Sequence, residues 1–236
     1  MKLHVLPTRS GAAAENMALD FLLLQRYPGT EARFRHYEWR RPACTFGFSQ
    51  KIEFVRAHLP ADNLDLCRRP TGGGIVDHRN DWTYSLVIPR GYPLYDEAAP
   101  LSYRLVHEAV VGALIACGQP AGLQPTRPEP GEAAEPGPAG VCFQRAEIHD
   151  VVNPETGAKI AGAAQKRNKN GLLLQGSLEK ATIREIDWER FAQQLADALA
   201  RCLRTQVSEV PWPDLDESEV DGLTEQYSSP EWLEYR

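Results

Sequence analysis

Cys142, in the run Gly140-Val-Cys-Phe143, has the side chain best suited to forming a covalent intermediate. A thiolate attacks thioesters readily, and acyl exchange between two sulfurs is close to energetically balanced. A cysteine is therefore a natural nucleophile for taking an acyl group from a thioester. Nothing local to Cys142 separates it from a buried structural cysteine, and no protease signature surrounds Cys142, His78 or His149. Lys159 opens a second run, Lys159-Ile-Ala-Gly-Ala-Ala-Gln-Lys-Arg167. Gly162, Ala163 and Ala164 leave room there for a ligand chain, and a lysine at its edge can donate to a carbonyl or phosphoryl oxygen. Taken alone, such a lysine is more often one that snorkels to the surface.

The third run is Arg68-Arg-Pro-Thr-Gly-Gly-Gly-Ile-Val-Asp-His78. Gly72, Gly73 and Gly74 let the backbone approach a ligand and turn N–H groups toward an anion or a carbonyl. Arg68 and Arg69 could add charge-assisted donors. A tight loop between strands explains a bare glycine triplet equally well. No Gly-Lys-Ser/Thr follows it, and the G-x-G-x-x-G spacing is missing, so it is neither a P-loop nor a dinucleotide fingerprint.

These residues need a scaffold. Met17, Phe21 and Leu24 at helical spacing predict a helix over 14–26, and the apolar positions of Ser102–Cys117 predict another, with Gly118 just past its end. A third starts after Asp187, a natural N-cap, and carries Trp188, Phe191, Leu195 and Leu199. Arg35–Trp39, Cys44–Phe48, Trp82–Pro89, Ile148–Val152, Lys159–Ala163 and Gly171–Leu174 read as strands, with turn chemistry at Asn153–Gly157. Helices beside many short strands, without strict alternation, predict an α/β sandwich around a mixed, largely antiparallel sheet. Residues 119–140 hold six prolines and four glycines and read as a flexible loop.

Bulk properties narrow the function. The 236 residues, 42% hydrophobic, suffice for one large domain, expected to span 1–236 without an accessory domain after it. A net charge of -6 disfavours nucleic acid as a partner. The five cysteines form no C-x-x-C pair, which argues against both a disulfide framework and a zinc site. No secretory signal and no membrane span are legible, so a cytoplasmic location is expected.

Taken in order along the chain, these runs resemble the catalytic domain of lipoate–protein ligases and octanoyltransferases. The resemblance rests on Arg68, Arg69, Gly72, Gly73, Gly74 and His78, then on Lys159, Gly162, Ala164 and Gln165, then on Gly176-Ser177-Leu178. Asn16–Asp20, the Trp39…Pro42…Gly47…Gln50 segment and the closing Tyr227…Trp232 run agree with it. It implies the α/β fold of the biotin and lipoate ligase superfamily. It also implies an acyl pocket lined by Trp39, Arg69, the glycine loop, His78, Gly162, Ala163, Ala164, Gly176 and Ser177, with Lys159 on the acyl carbonyl. Cys-Phe just before the lysine strand is a mark of the octanoyltransferase branch with a cysteine nucleophile, and Cys142 matches it. Phe21, Arg79 and Gln175 depart from the family pattern.

The resemblance leaves two mechanisms open. In one, Cys142 takes octanoyl from an acyl carrier protein and passes it to a lysine of a lipoyl domain or glycine-cleavage H protein, with no metal or other cofactor. In the other, ATP and Mg²⁺ activate free lipoate as an adenylate held by the glycine loop and Lys159. A non-catalytic acyl- or carrier-binding protein on the same fold is a third reading. The Lys166, Arg167 and Lys169 cluster is either a solvated turn or a dock for an acidic carrier domain.

Overall fold

A strand lacking partners on either side cannot lie at the centre of a sheet, and Asp81–Pro89 shows what such a position demands: all nine of its residues are buried. In the computed structural model, which describes residues 1–26, 29–59, 61, 63–126 and 145–235, that strand lies inside an eight-stranded mixed sheet. The chain runs β1 (Lys2–Gly11), α1 (Ala13–Gln25), β2 (Ala32–Trp39), β3 (Ala43–Phe46), α2 (Ile52–Ala57), β4 (Asp65–Arg68), β5 (Val76–Asp77) and β6 (Asp81–Pro89). It continues through α3 (Pro93–Asp96), α4 (Ala99–Ala116), β7 (Gly122–Leu123), β8 (Val151–Val152), β9 (Lys159–Asn168) and β10 (Gly171–Glu179). It closes with α5 (Trp188–Cys202), β11 (Gln206–Glu209), α6 (Glu217–Ser228) and α7 (Pro230–Leu233). The large sheet has the order β11-β1-β2-β6-β10-β9-β8-β7, parallel among its first three strands and antiparallel beyond. The mixed, largely antiparallel α/β architecture expected from the sequence is the one found.

Alternation along the central strands sorts side chains onto two faces. Phe34, Tyr84, Leu86, Leu172 and Leu174 join Val106, Val110 and Leu114 of α4 and Phe191, Leu195 and Leu199 of α5 in the main core. Helix α5 starts where expected: the Asp187 carboxylate accepts hydrogen bonds from the Glu189 and Arg190 amides. The opposite face carries Arg35, Thr83, Ser85, Gln175 and Ser177 and is covered partly by α1. A smaller sheet, β4-β3-β5, stands beside it and carries the glycine loop.

Some expectations change. Of Ile148–Val152 only Val151–Val152 is strand, and Gly122–Leu123, inside the stretch read as a loop, forms an edge strand paired with β8. Residues 127–140 of that stretch, and Cys142, lie outside the described residues. The turn after β8 is as read: the Gly157 amide donates to the Asn153 carbonyl, with Gly157 at φ 73°. None of the helices among the described residues is long and apolar enough to cross a membrane.

Candidate acyl site

Cross-strand register builds the site's floor. Gly162 of β9 faces Ser177 of β10, Ser177 faces Thr83 of β6, and Thr83 faces Tyr37 of β2. A second row, two residues along, runs Ala164–Gln175–Ser85–Arg35. With strands ~4.8 Å apart, each row crosses four strands in ~14 Å. Over the first row lies a cleft. Its walls come from both sheets and α1: Trp39, Arg69, Gly73, His78, Lys159, Gly162, Ala163, Ala164, Gly176 and Ser177, all expected from the sequence, are in its lining. Gly72 and Gly74 are not. Among the described residues, Met17, Tyr37, Thr45, Val76, Thr83 and Gln175 line it too.

The second row is a buried polar ladder that closes one side. The Arg35 guanidinium meets Asp20 at 2.7 Å, and the Ser85 hydroxyl donates to the same carboxylate oxygen at 2.6 Å. The Gln175 amide donates to the other oxygen at 2.7 Å, and its carbonyl accepts from the Thr71 hydroxyl at 2.7 Å. Gln175, a departure from the family pattern, is therefore fully engaged in holding α1 to the glycine loop.

The loop is organised by its own arginine. Arg69 donates to the Gly72 and Gly74 carbonyls at 2.9 and 2.8 Å and to the Thr45 hydroxyl at 2.7 Å. Gly73 has φ 89°, and a β-carbon on Gly47 would stand 2.0 Å from the Gly73 carbonyl oxygen, so both positions require glycine. Arg68, read as a possible anion donor, does other work. Its guanidinium donates to the Phe48, Gln50, Trp232 and Leu233 carbonyls, which ties α7 to the small sheet.

His78 sits in a chain of hydrogen bonds. Its Nδ1 is 2.6 Å from Asp81 Oδ2 and its Nε2 is 2.7 Å from the Thr45 hydroxyl. Thr83 and Ser177 donate to the same Asp81 oxygen, and the Trp39 indole N–H donates to Thr83 at 2.9 Å. Burial raises the Asp81 carboxyl, but the His78 imidazole and the three donors outweigh it and hold it below the usual carboxylate range.

Lys159 is buried, not snorkelling. Its ammonium stands 2.7 Å from Asp150 Oδ2. A β-carbon on Gly162 would lie 2.9 Å from Lys159 Nζ, so the lysine's end packs against that glycine. Asp150, Tyr103, Thr45, Thr83 and Asp81 escaped the sequence reading. One signal was available for the last two: Asp81, Thr83 and Ser85 recur at every second position of an otherwise apolar strand, which marks a polar strip on one face.

The residues that match the model of the lipoyl protein ligase A/B catalytic domain run from 12 to 206 and include every part of this cleft. The chain belongs to that family. Curated relatives named octanoyltransferase LipM come from Exiguobacterium sp., 33% identical over 194 residues and 80% of this chain, and from Kyrpidia tusciae, 31% identical over 179 residues and 74% of this chain. A third, from Geobacillus kaustophilus, is 32% identical over 178 residues and 70% of this chain. The chain spans 70%, 65% and 60% of these relatives' own lengths. Among solved structures, a T. acidophilum protein with bound lipoic acid has a TM-score of 0.77 at 20% identity, with both chains covered completely. Lipoate-protein ligase A bound with ATP has a TM-score of 0.73 at 20% identity, with 99% of each chain covered. These likenesses make the fold that of the family's ligases. Among the described residues, no group of three His, Cys, Asp or Glu side chains is placed to hold a metal ion.

Proposed function

We propose that this chain is a cytoplasmic octanoyltransferase that moves an octanoyl group from the thioester of an acyl carrier protein to a lysine of a lipoyl domain or H-type carrier. The observation that carries this reading is the cleft, an apolar groove across four strands with the Lys159 ammonium in its lining. The LipM relatives support octanoyl as the cargo. A T. acidophilum lipoate protein ligase of this fold, studied with its E2 lipoyl domain, supports a lipoyl-domain acceptor.

In the first step the Cys142 thiolate attacks the thioester carbonyl carbon. The new carbon–sulfur bond forms as the old one breaks, and the carrier leaves as its thiolate, which takes up the proton that the Cys142 thiol gave up. Lys159 stabilises the oxyanion of the tetrahedral intermediate. In the second step the neutral amine of the acceptor lysine attacks the acyl-enzyme. An amide forms, the Cys142 sulfur leaves, and the amine's surplus proton returns to it. No ATP enters.

Intact mass after mixing the protein with octanoyl-acyl carrier protein, without ATP, tests the reading beside Cys142→Ala. An octanoyl adduct that the variant lacks supports it. ATP-dependent attachment of free lipoate without any adduct would instead make the chain a ligase, and carrier binding without transfer would make it a binding protein.

A further inference from the structure

Strand β8 ends at Val152, and its pairing with β9 reaches only Ala161. The next edge amide of β9, that of Ala163, therefore needs a partner from elsewhere. The Tyr103 hydroxyl of α4 supplies it, accepting at 3.1 Å. The same hydroxyl donates to Asp150 Oδ1 at 2.5 Å. Asp150 Oδ2 accepts from the Glu147 amide at 2.7 Å and holds the Lys159 ammonium at 2.7 Å. One phenol thus joins a backbone amide of the acyl cleft to the carboxylate that positions the lysine.

Each member of this cluster depends on the others. Asp150 is 1% exposed, and a buried carboxylate requires that its lone pairs be met. Gly162 makes room for the pair, since a β-carbon there would lie 3.3 Å from Asp150 Oδ1 as well as 2.9 Å from Lys159 Nζ. His107, one turn along α4, packs edge-on against the Tyr103 ring, with centroids 4.1 Å apart, and its Nδ1 donates to the His149 carbonyl. Burial and the Asp150 carboxylate hold the Tyr103 hydroxyl well above the usual phenol range, so it remains a donor.

We propose that Tyr103 and Asp150 are positioning residues for acyl transfer, a clamp that sets the Lys159 ammonium against the substrate carbonyl. The proposal rests on the reading of the cleft given above. Without the Tyr103 hydroxyl, the Asp150 carboxylate loses a donor and the lysine loses its fixed orientation. Substrate still enters the cleft, so the effect falls on turnover rather than on binding.

The test is a double-mutant cycle on octanoyl transfer from the carrier thioester to a lipoyl domain. Tyr103→Phe should lower kcat about tenfold, the scale of one hydrogen bond to a charged group, with KM for the acyl carrier within about twofold. Asp150→Asn should lower kcat further, and the double variant should be no slower than Asp150→Asn alone. Multiplying losses, or an unchanged Tyr103→Phe, would overturn the clamp. If Asp150→Asn does not fold, Lys159→Ala replaces it in the cycle: Tyr103→Phe should then change the residual rate no further, and an added tenfold loss would refute the coupling. Competitive labelling with acetic anhydride, read by peptide mass at Lys159, needs no activity: the lysine should react several-fold faster in Tyr103→Phe than in wild type, and equal labelling would refute the proposal. A wild-type protein that transfers nothing overturns the reading of the cleft, while the labelling still decides the clamp.

Discussion

The Trp39 indole lies over the His78 imidazole, with ring centroids 4.0 Å apart and planes 25° from parallel. Together with Tyr37, the two rings line both the acyl cleft and a larger open groove beside it, whose far wall includes His36, Lys180 and Trp188. The stacked pair is thus the partition at the β2 end of the cleft. Trp39→Ala removes the stack and the bond to Thr83, joining the two spaces. Activity ratios for carriers loaded with eight-, ten- and twelve-carbon acyl chains should then shift toward the longer chains, while Trp39→Phe retains the wild-type order. A Trp39→Ala profile identical to wild type would show that the partition does not limit chain length.

Gly162 tests the opposite end. Its added β-carbon would meet Lys159 Cε and Nζ at 2.9 Å, and displacing the ammonium is the least costly response. Gly162→Ala should slow acyl transfer at least about tenfold, as expected when an oxyanion donor is misplaced. Gly112 is the control. It lies within α4 with nothing inside 4 Å of a β-carbon, so Gly112→Ala should raise stability by about 0.5–1 kcal/mol and leave transfer unchanged. Chemical denaturation and transfer rates on both variants separate the two effects.

How far the sequence reaches can be seen residue by residue. The small residues after Lys159 were legible as room for a ligand chain, whereas the place of His78 in the pocket came only from the family resemblance. Helix α5 was legible through its cap and period. Strands β1 and β11 were not: His4 pairs in parallel with Ser208, and a pairing across the whole chain leaves no local signal. The Asp150–Tyr103 contact joins residues whose neighbours say nothing of each other. Arg68 shows the reverse error, since two arginines before a glycine triplet suggest an anion site, whereas its partners are carbonyls, two of them near the end of the chain.

Asp20 carries the largest stability effect expected here. Its carboxylate takes Arg35, Ser85 and Gln175, and both charged side chains are at most 1% exposed. Asp20→Ala leaves a buried guanidinium without its carboxylate and should cost about 3–5 kcal/mol in urea unfolding. Glu234, whose pair with Arg56 is exposed, should cost under about 1 kcal/mol when changed to Ala. Equal losses would mean that the ladder beside the cleft is not the rigid wall it forms in this fold.

The pH dependence of stability follows from two histidines kept neutral by burial. His107 is lowered to about 4, and so is His36, by burial first and then by Lys180. The unfolded chain protonates both near 6.5, so between about pH 6.5 and 4 it binds more protons than the folded chain. Their contribution is complete above pH 6.5 and is lost as pH falls toward 4. Unfolding free energies at pH 7.5, 6 and 5 should therefore decline in that order. His107→Phe should be less stable at pH 7.5, because the His149 carbonyl loses its donor. Its decline should nevertheless be shallower, because one titrating group is gone. A variant curve parallel to wild type would show that His107 takes up its proton as readily in the folded protein as in the unfolded chain, contrary to its buried place beside Tyr103.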